Sequence, residues 1–158
     1  MKNIILIFFL SVVSIANSQS FEIVKFDKVE SVLNSKNDTL YVLNFWATWC
    51  QPCVKELPYF DEMNAKYKNE KVKIILISMD FKSDVEARLI PFLEKRKMNS
   101  TVWFLDETNQ NEFIPKVEDG WSGAIPFTIM VRGADMYRYW KEGKLSLKDL
   151  DKLIGENL

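Results

Sequence analysis

The sequence predicts an α/β fold, a sandwich in which helices cover a central mixed β-sheet. Three observations carry this. Apolar, β-branched and aromatic runs alternate with segments of helical period, the order of successive βαβ units. Val72 to Met79 is apolar almost throughout, as a parallel strand covered on both faces must be. Near the C-terminus, Phe127–Val131 and Met136–Trp140 are close enough to pair as an antiparallel hairpin, ahead of one closing helix.

Taken in order, Leu40 to Trp46 reads as a buried strand. From Pro52 to about Tyr67 the period becomes helical, with Val54, Leu57, Phe60 and Met63 spaced three apart. Pro52 suits a first turn, where its missing N–H has no helical partner, whereas Pro58 falls inside the helix and is expected to kink it. After the strand at Val72–Met79, Ser83 or Asp84 offers a cap for a helix reaching about Met98, interrupted or restarted at Pro91. Thr101 to Leu105 is a third short strand, and Thr108 to Glu118 a polar, partly helical connection. Arg132-Gly133 ends the fourth strand, and the Tyr/Arg alternation after Met136 marks an edge. Ser146 caps a final helix with Leu147, Leu150, Leu153 and Ile154 on one face. There are no repeats and no low-complexity linker.

The first residues stand apart. Lys2, the apolar run Ile4–Val13 and the small residues ending in Ala16-Asn17-Ser18 read as a secretory signal peptide over residues 1–18, cleaved before Gln19 or, alternatively, after Ala16. Its apolar stretch of about ten residues is short for a ~30 Å hydrocarbon core, so an uncleaved anchor is the lesser alternative. No cysteine follows the run, which excludes a lipoprotein acylated at its first mature residue. Residues 19–158 then form one domain, expected to be exported to the periplasm.

Charge is nearly balanced, with 21 basic and 22 acidic residues scattered rather than blocked. The absence of a basic stripe argues against a nucleic-acid partner. Histidine is absent, which removes Ser-His-Asp and Cys-His arrangements and mixed Cys/His zinc sites. Two cysteines are half of a zinc site, so neither metal nor cofactor is expected.

Those two cysteines, Cys50 and Cys53, lie in Trp49-Cys50-Gln51-Pro52-Cys53. A domain of roughly 140 residues buries about two-thirds of its unfolded surface and needs no staple. A bridge at this spacing closes so short a loop that it removes little unfolded-state entropy. The pair therefore asks for a chemical explanation. It falls where a strand meets a helix, placing Cys50 at the helix N-terminus, where free N–H groups and the helix dipole favour a thiolate. Cys50 is the expected nucleophile. Cys53, one turn inside, is expected to be more buried and to resolve the mixed disulfide.

The segment Asn44-Phe45-Trp46-Ala47-Thr48-Trp49-Cys50-Gln51-Pro52-Cys53 resembles the active-site segment of the thioredoxin superfamily, and with Glu56-Leu57-Pro58 it is most similar to the exported TlpA/ResA-like branch. Trp121-Ser122-Gly123-Ala124-Ile125-Pro126 resembles that family's cis-proline segment. The resemblance spans residues 21–158 and implies a thioredoxin-like three-layer sandwich. It implies that Cys50 attacks, that Cys53 resolves, and that Ile125–Pro126 is a cis bond beside them, with Ile125 offering its backbone to an extended substrate. From the residues alone, Pro126 suits a trans edge proline equally well. The family's buried aspartate is replaced by Asn44, which is no base; Glu56, where the branch has a glutamate, is the candidate proton acceptor for Cys53. A solvated helix glutamate is the other reading of Glu56, and Lys55 reads as an exposed helix lysine. Trp49, with Gln51 and Pro52, is the candidate substrate platform and Trp46 a packing residue, although either tryptophan fits a simple core.

The implied activity is thiol–disulfide exchange on protein disulfides and dithiols, with a membrane thiol as electron donor and a monomer as the default assembly. Strong oxidants of this fold often carry a histidine between the cysteines; Gln51-Pro52 instead matches its reducing end, which favours a reductase. An oxidase or isomerase, a peroxidase-like enzyme and a non-catalytic binding module are the alternatives. The absence of a clear activating arginine beside Cys50 counts against the peroxidase.

Overall fold

The computed structural model describes residues 21–158, so the expected leader lies outside the described residues. The chain runs through β1 (Glu22–Val24), α1 (Phe26–Leu33), β2 (Leu40–Trp46), α2 (Gln51–Lys66), β3 (Val72–Ser78), α3 (Ile90–Arg96), β4 (Thr101–Leu105), α4 (Gln110–Val117), β5 (Phe127–Arg132), β6 (Tyr137–Glu142) and α5 (Leu147–Gly155). The strands form one sheet in the order β1-β4-β3-β2-β5-β6. The pairs β1–β4, β4–β3 and β3–β2 are parallel, while β5 is antiparallel to both β2 and β6, which makes the sheet mixed.

Alternation along the strands sorts the core into two layers. Leu40, Val42 and Trp46 of β2 pack with Leu57, Phe60 and Met63 of α2 and Leu150 and Ile154 of α5. Tyr41, Leu43 and Phe45 face the other way, onto Phe26 and Val29 of α1 and Phe113 and Val117 of α4. Helices on both faces of the sheet make the three-layer sandwich. All seven residues of β2 are buried, and because Asn44 shares the even-numbered face it is placed toward α2.

Local chemistry accounts for several boundaries. Ser146 caps α5 by accepting from the Asp149 N–H at 3.1 Å. Gly133 ends β5 where the chain passes close to the end of α1: a Cβ there would lie 1.7 Å from the Ser35 carbonyl oxygen.

Three expectations are corrected. The sequence suggests no element before Leu40, yet β1 and α1, whose short runs show little period, are formed there. Neither Ser83 nor Asp84 caps a helix: Lys82–Asp84 is a 3₁₀ turn and Val85–Leu89 a π turn, with α3 starting only at Ile90 and Pro91 in its first turn. The Asp84 carboxylate faces Arg88 at 3.8 Å instead of a backbone N–H. Met136 lies in the hairpin turn rather than the edge strand, with a φ of 58°.

Candidate active site

The site lies at one edge of the sheet, where β2 and β3 end and β5 begins, the edge at which parallel α/β sheets present their functional loops. After Trp46 the chain turns through Ala47–Trp49 and enters α2. Cys50 is the N-cap of that helix, and its sulfur accepts from the Cys53 backbone N–H at 3.4 Å, the place a serine or aspartate oxygen takes in an ordinary cap. The two cysteines are joined as a disulfide with Cα atoms 5.3 Å apart. Cys50 is 6% exposed and Cys53 fully buried, the expected order but with a small difference. Gln51 and Pro52 are exposed on the first turn.

A second segment closes over the pair. The Ile125–Pro126 bond is cis, and the Ile125 carbonyl oxygen lies 3.7 Å from the Cys50 sulfur. Pro126 is buried and Ile125 partly so. The loop before them is held from behind. Trp121 stacks on Phe127 with centroids 4.3 Å apart and donates its indole N–H to the Ala124 carbonyl at 2.8 Å. Glu142 on β6 accepts from the Ser122 N–H and hydroxyl at 2.9 and 2.7 Å.

Glu56 stands one helical turn past Cys53 and is wholly buried, so the solvated reading is set aside. Its Oε1 accepts from the Asn44 side-chain amide at 2.9 Å, and its Oε2 from the Leu145 backbone N–H at 2.8 Å. The same Asn44 amide group donates to the Thr128 hydroxyl at 3.0 Å. Burial pushes the Glu56 carboxyl up to about 7, against the opposing pull of the Leu145 and Asn44 hydrogen bonds and of the Lys144 and Lys141 charges.

A further buried carboxylate, Asp80, lies just beyond β3. It accepts from the Thr48 N–H at 3.1 Å, from the Thr48 hydroxyl, and from the Ser78 hydroxyl at 2.8 Å. It thereby ties the turn that delivers Cys50 to the end of the neighbouring strand.

The structure thus brings Cys50, Cys53, Glu56, Gln51, Pro52, Ile125 and Pro126 to one place. The two tryptophans separate: Trp46 is fully buried against Phe92, whereas Trp49 is 47% exposed. Thr128, Leu145 and Asp80 are not among the residues expected at the site, and Asn44, expected only as a residue unable to act as a base, is one of its donors. Asn44 and Thr128 carried a usable signal, a polar side chain inside a strand otherwise apolar on both faces. Leu145 acts through its backbone and carried none. Among the described residues, no acidic or cysteine cluster is arranged to hold a metal, and no helix is long and apolar enough to cross a membrane.

Comparison with known proteins places the chain in a family and supports the fold. Residues 16–119 match the AhpC/TSA family. The thiol-disulfide oxidoreductase ResA of Oceanobacillus iheyensis is 51% identical over 115 residues, 73% of this chain and 55% of that protein. The ResA of Bacillus anthracis is 55% identical over 38 residues, 24% of this chain and 22% of that protein. These matches thus span about half of one relative and under a quarter of the other. Among solved structures, a thioredoxin-related protein from Neisseria meningitidis serogroup B superposes with a TM-score of 0.65 at 26% identity, covering 79% of this chain and 89% of that one. A thioredoxin family thiol:disulfide interchange protein from Chlorobium tepidum superposes with a TM-score of 0.61 at 19% identity, covering 81% and 83%, and shares the fold.

Proposed function

The chain belongs to the AhpC/TSA family, and on that premise we propose that it is an exported, ResA-like thiol–disulfide oxidoreductase that reduces protein disulfides through Cys50 and Cys53. One observation carries the reading. The cysteine pair caps a helix under the Ile125 carbonyl, and a buried carboxyl poised near neutrality stands one turn behind Cys53.

In the reduced protein, the Cys50 thiolate is stabilised by the Cys53 N–H and the N-terminus of α2. It attacks one sulfur of a substrate disulfide, and the other sulfur leaves as a thiolate. Glu56, ionised for part of the time near pH 7, takes the Cys53 proton. The Cys53 thiolate then attacks the Cys50 sulfur, forming the Cys50–Cys53 disulfide and releasing the second substrate thiolate. A dithiol donor, read here as a membrane protein, returns two electrons and two protons. Trp49, Gln51, Pro52 and the Ile125 backbone flank Cys50 and would contact the substrate chain.

The reducing direction rests on the Gln51-Pro52 turn and on the absence of histidine from the chain. Export rests on Lys2 and the apolar run Ile4–Val13, with residues 19–158 as the mature domain acting as a monomer. Cys53→Ala protein should accumulate substrates on Cys50 as mixed disulfides that release with reductant, and Cys50→Ala should trap none. Trapping by Cys50→Ala instead would reverse the two roles. A potential above about −180 mV, the isomerase range, would overturn the reductase assignment.

A further inference from the structure

Two aromatic rings face water beside the cysteine pair. Trp49 is 47% exposed and Phe81 is 62% exposed, although large apolar side chains are mostly buried in folded proteins. Their rings stack on each other, with centroids 6.4 Å apart and planes 19° apart. They come from different loops, Trp49 from the turn before Cys50 and Phe81 from the chain after β3. Asp80 joins those loops from beneath, accepting from the Thr48 N–H at 3.1 Å next to Trp49 while itself preceding Phe81. The two loops that carry the rings are thereby tied together next to Cys50.

Phe81 also forms a wall of a cleft of about 220 Å³, whose lining mixes the apolar Met79, Phe104 and Phe113 with the acidic Asp80, Asp106 and Glu107. Asp106 pairs with Lys82 at 3.0 Å and with Lys25 at 3.1 Å, and Glu107 accepts from the Phe26 N–H at 3.0 Å, so these charges are engaged within the fold. Two exposed, stacked rings, one of them adjoining Cys50, give an apolar side chain a surface to pack on.

We infer that Phe81, together with Trp49, makes this protein select polypeptides carrying an aromatic or large aliphatic residue next to the reacting cysteine. The inference rests on the thiol–disulfide exchange at Cys50 proposed above. Exchange forces the substrate sulfur against Cys50, and consecutive residues of an extended chain advance by only about 3.3–3.6 Å. The residue beside the substrate cysteine thus comes within reach of Trp49, the neighbour of Cys50, and of the Phe81 ring stacked on it. Phe81 is a specificity-determining residue in this reading, with no part in the bond changes themselves.

The test uses two short peptides, one with phenylalanine and one with serine next to its single cysteine, each oxidised to its symmetric disulfide. The second-order rate of each with the reduced full domain is followed by tryptophan fluorescence. Wild type should favour the phenylalanine peptide by about tenfold, the scale of one well-placed aromatic contact. Phe81→Ser should bring the ratio close to one, and Phe81→Leu, still apolar, should restore most of it. A wild-type ratio near one overturns the inference. So does a Phe81→Ser protein that keeps the ratio while both rates fall together, since Phe81 would then be acting on the loop or on Cys50. Wild-type protein that exchanges with neither peptide, in either redox direction, instead sinks the oxidoreductase assignment itself.

Discussion

Two buried carboxylates stand near the cysteine pair, and they are held in different company. Asp80 is ringed by a backbone N–H and two hydroxyls, Thr48 and Ser78, which rotate to point their protons at it. The bonds from Thr48 tie the turn before Cys50 to the end of β3, so Asp80 acts as an anchor for the turn that presents Cys50. Glu56 accepts one bond from Asn44 and one from the Leu145 N–H, in a pocket walled by α2, β2 and β5. There desolvation outweighs its donors and brings the carboxyl to about 7. The two carboxylates thus differ in the number and kind of donors that face them.

The largest effect expected on this contrast comes from Glu56→Gln. The native pKa of about 7 lies above the ordinary 4.5, so the folded state holds this proton more tightly than the unfolded chain. The contribution is fully present below about 4.5 and is lost as pH rises through about 7, a total of about 3 kcal/mol. Urea unfolding of wild type should therefore show stability falling between pH 4 and pH 8. Glutamine keeps an acceptor for Leu145, and its amide can meet the Asn44 Oδ1, which has no partner among the described residues. Glu56→Gln should thus flatten the curve and exceed wild type in stability above pH 7, while slowing resolution of the mixed disulfide. A slope unchanged in this variant would belong to another group.

Asp80→Ala should come next, with a loss of about 2 kcal/mol from stranded Thr48 and Ser78 donors. Urea titration of the variant beside wild type checks it. Asn44→Leu removes a donor that favours the Glu56 carboxylate and should destabilise by about 1 kcal/mol. It should also shift the alkaline-rising limb of the exchange rate to higher pH, visible in a pH–rate profile of the resolving step. Trp49→Ser should have the smallest effect on stability, under about 0.5 kcal/mol, because its ring is half in water. Its effect should appear only in exchange with polypeptide disulfides, measured beside glutathione disulfide.

The legible part of the fold was its local part. Leu40–Trp46, Val72–Ser78 and the helix after Pro52 announce themselves through period and composition, and Ser146 through its capping chemistry. The stretch from Lys82 to Leu89 misled because a cap residue in the sequence does not say where its side chain turns; Asp84 faces Arg88 instead. β1 and α1 escaped because three strand residues and two helical turns give little period, and β1 owes its strand to pairing with β4.

For the site, the sequence by itself determined that Cys50 and Cys53 sit at a strand-to-helix junction, since spacing, Pro52 and the flanking apolar run are all local. It also placed Glu56 one turn beyond Cys53. Whether that glutamate meets water was not written locally, because the N–H that covers it belongs to Leu145, 89 residues away. The Asn44–Thr128 bond, the Asp80 anchor and the stacking of Phe81 on Trp49 likewise join residues on different strands and loops. Sheet register and loop packing set such contacts, and a change in either would have left every local pattern intact while turning Glu56 from a poised buried acid into an ordinary surface charge.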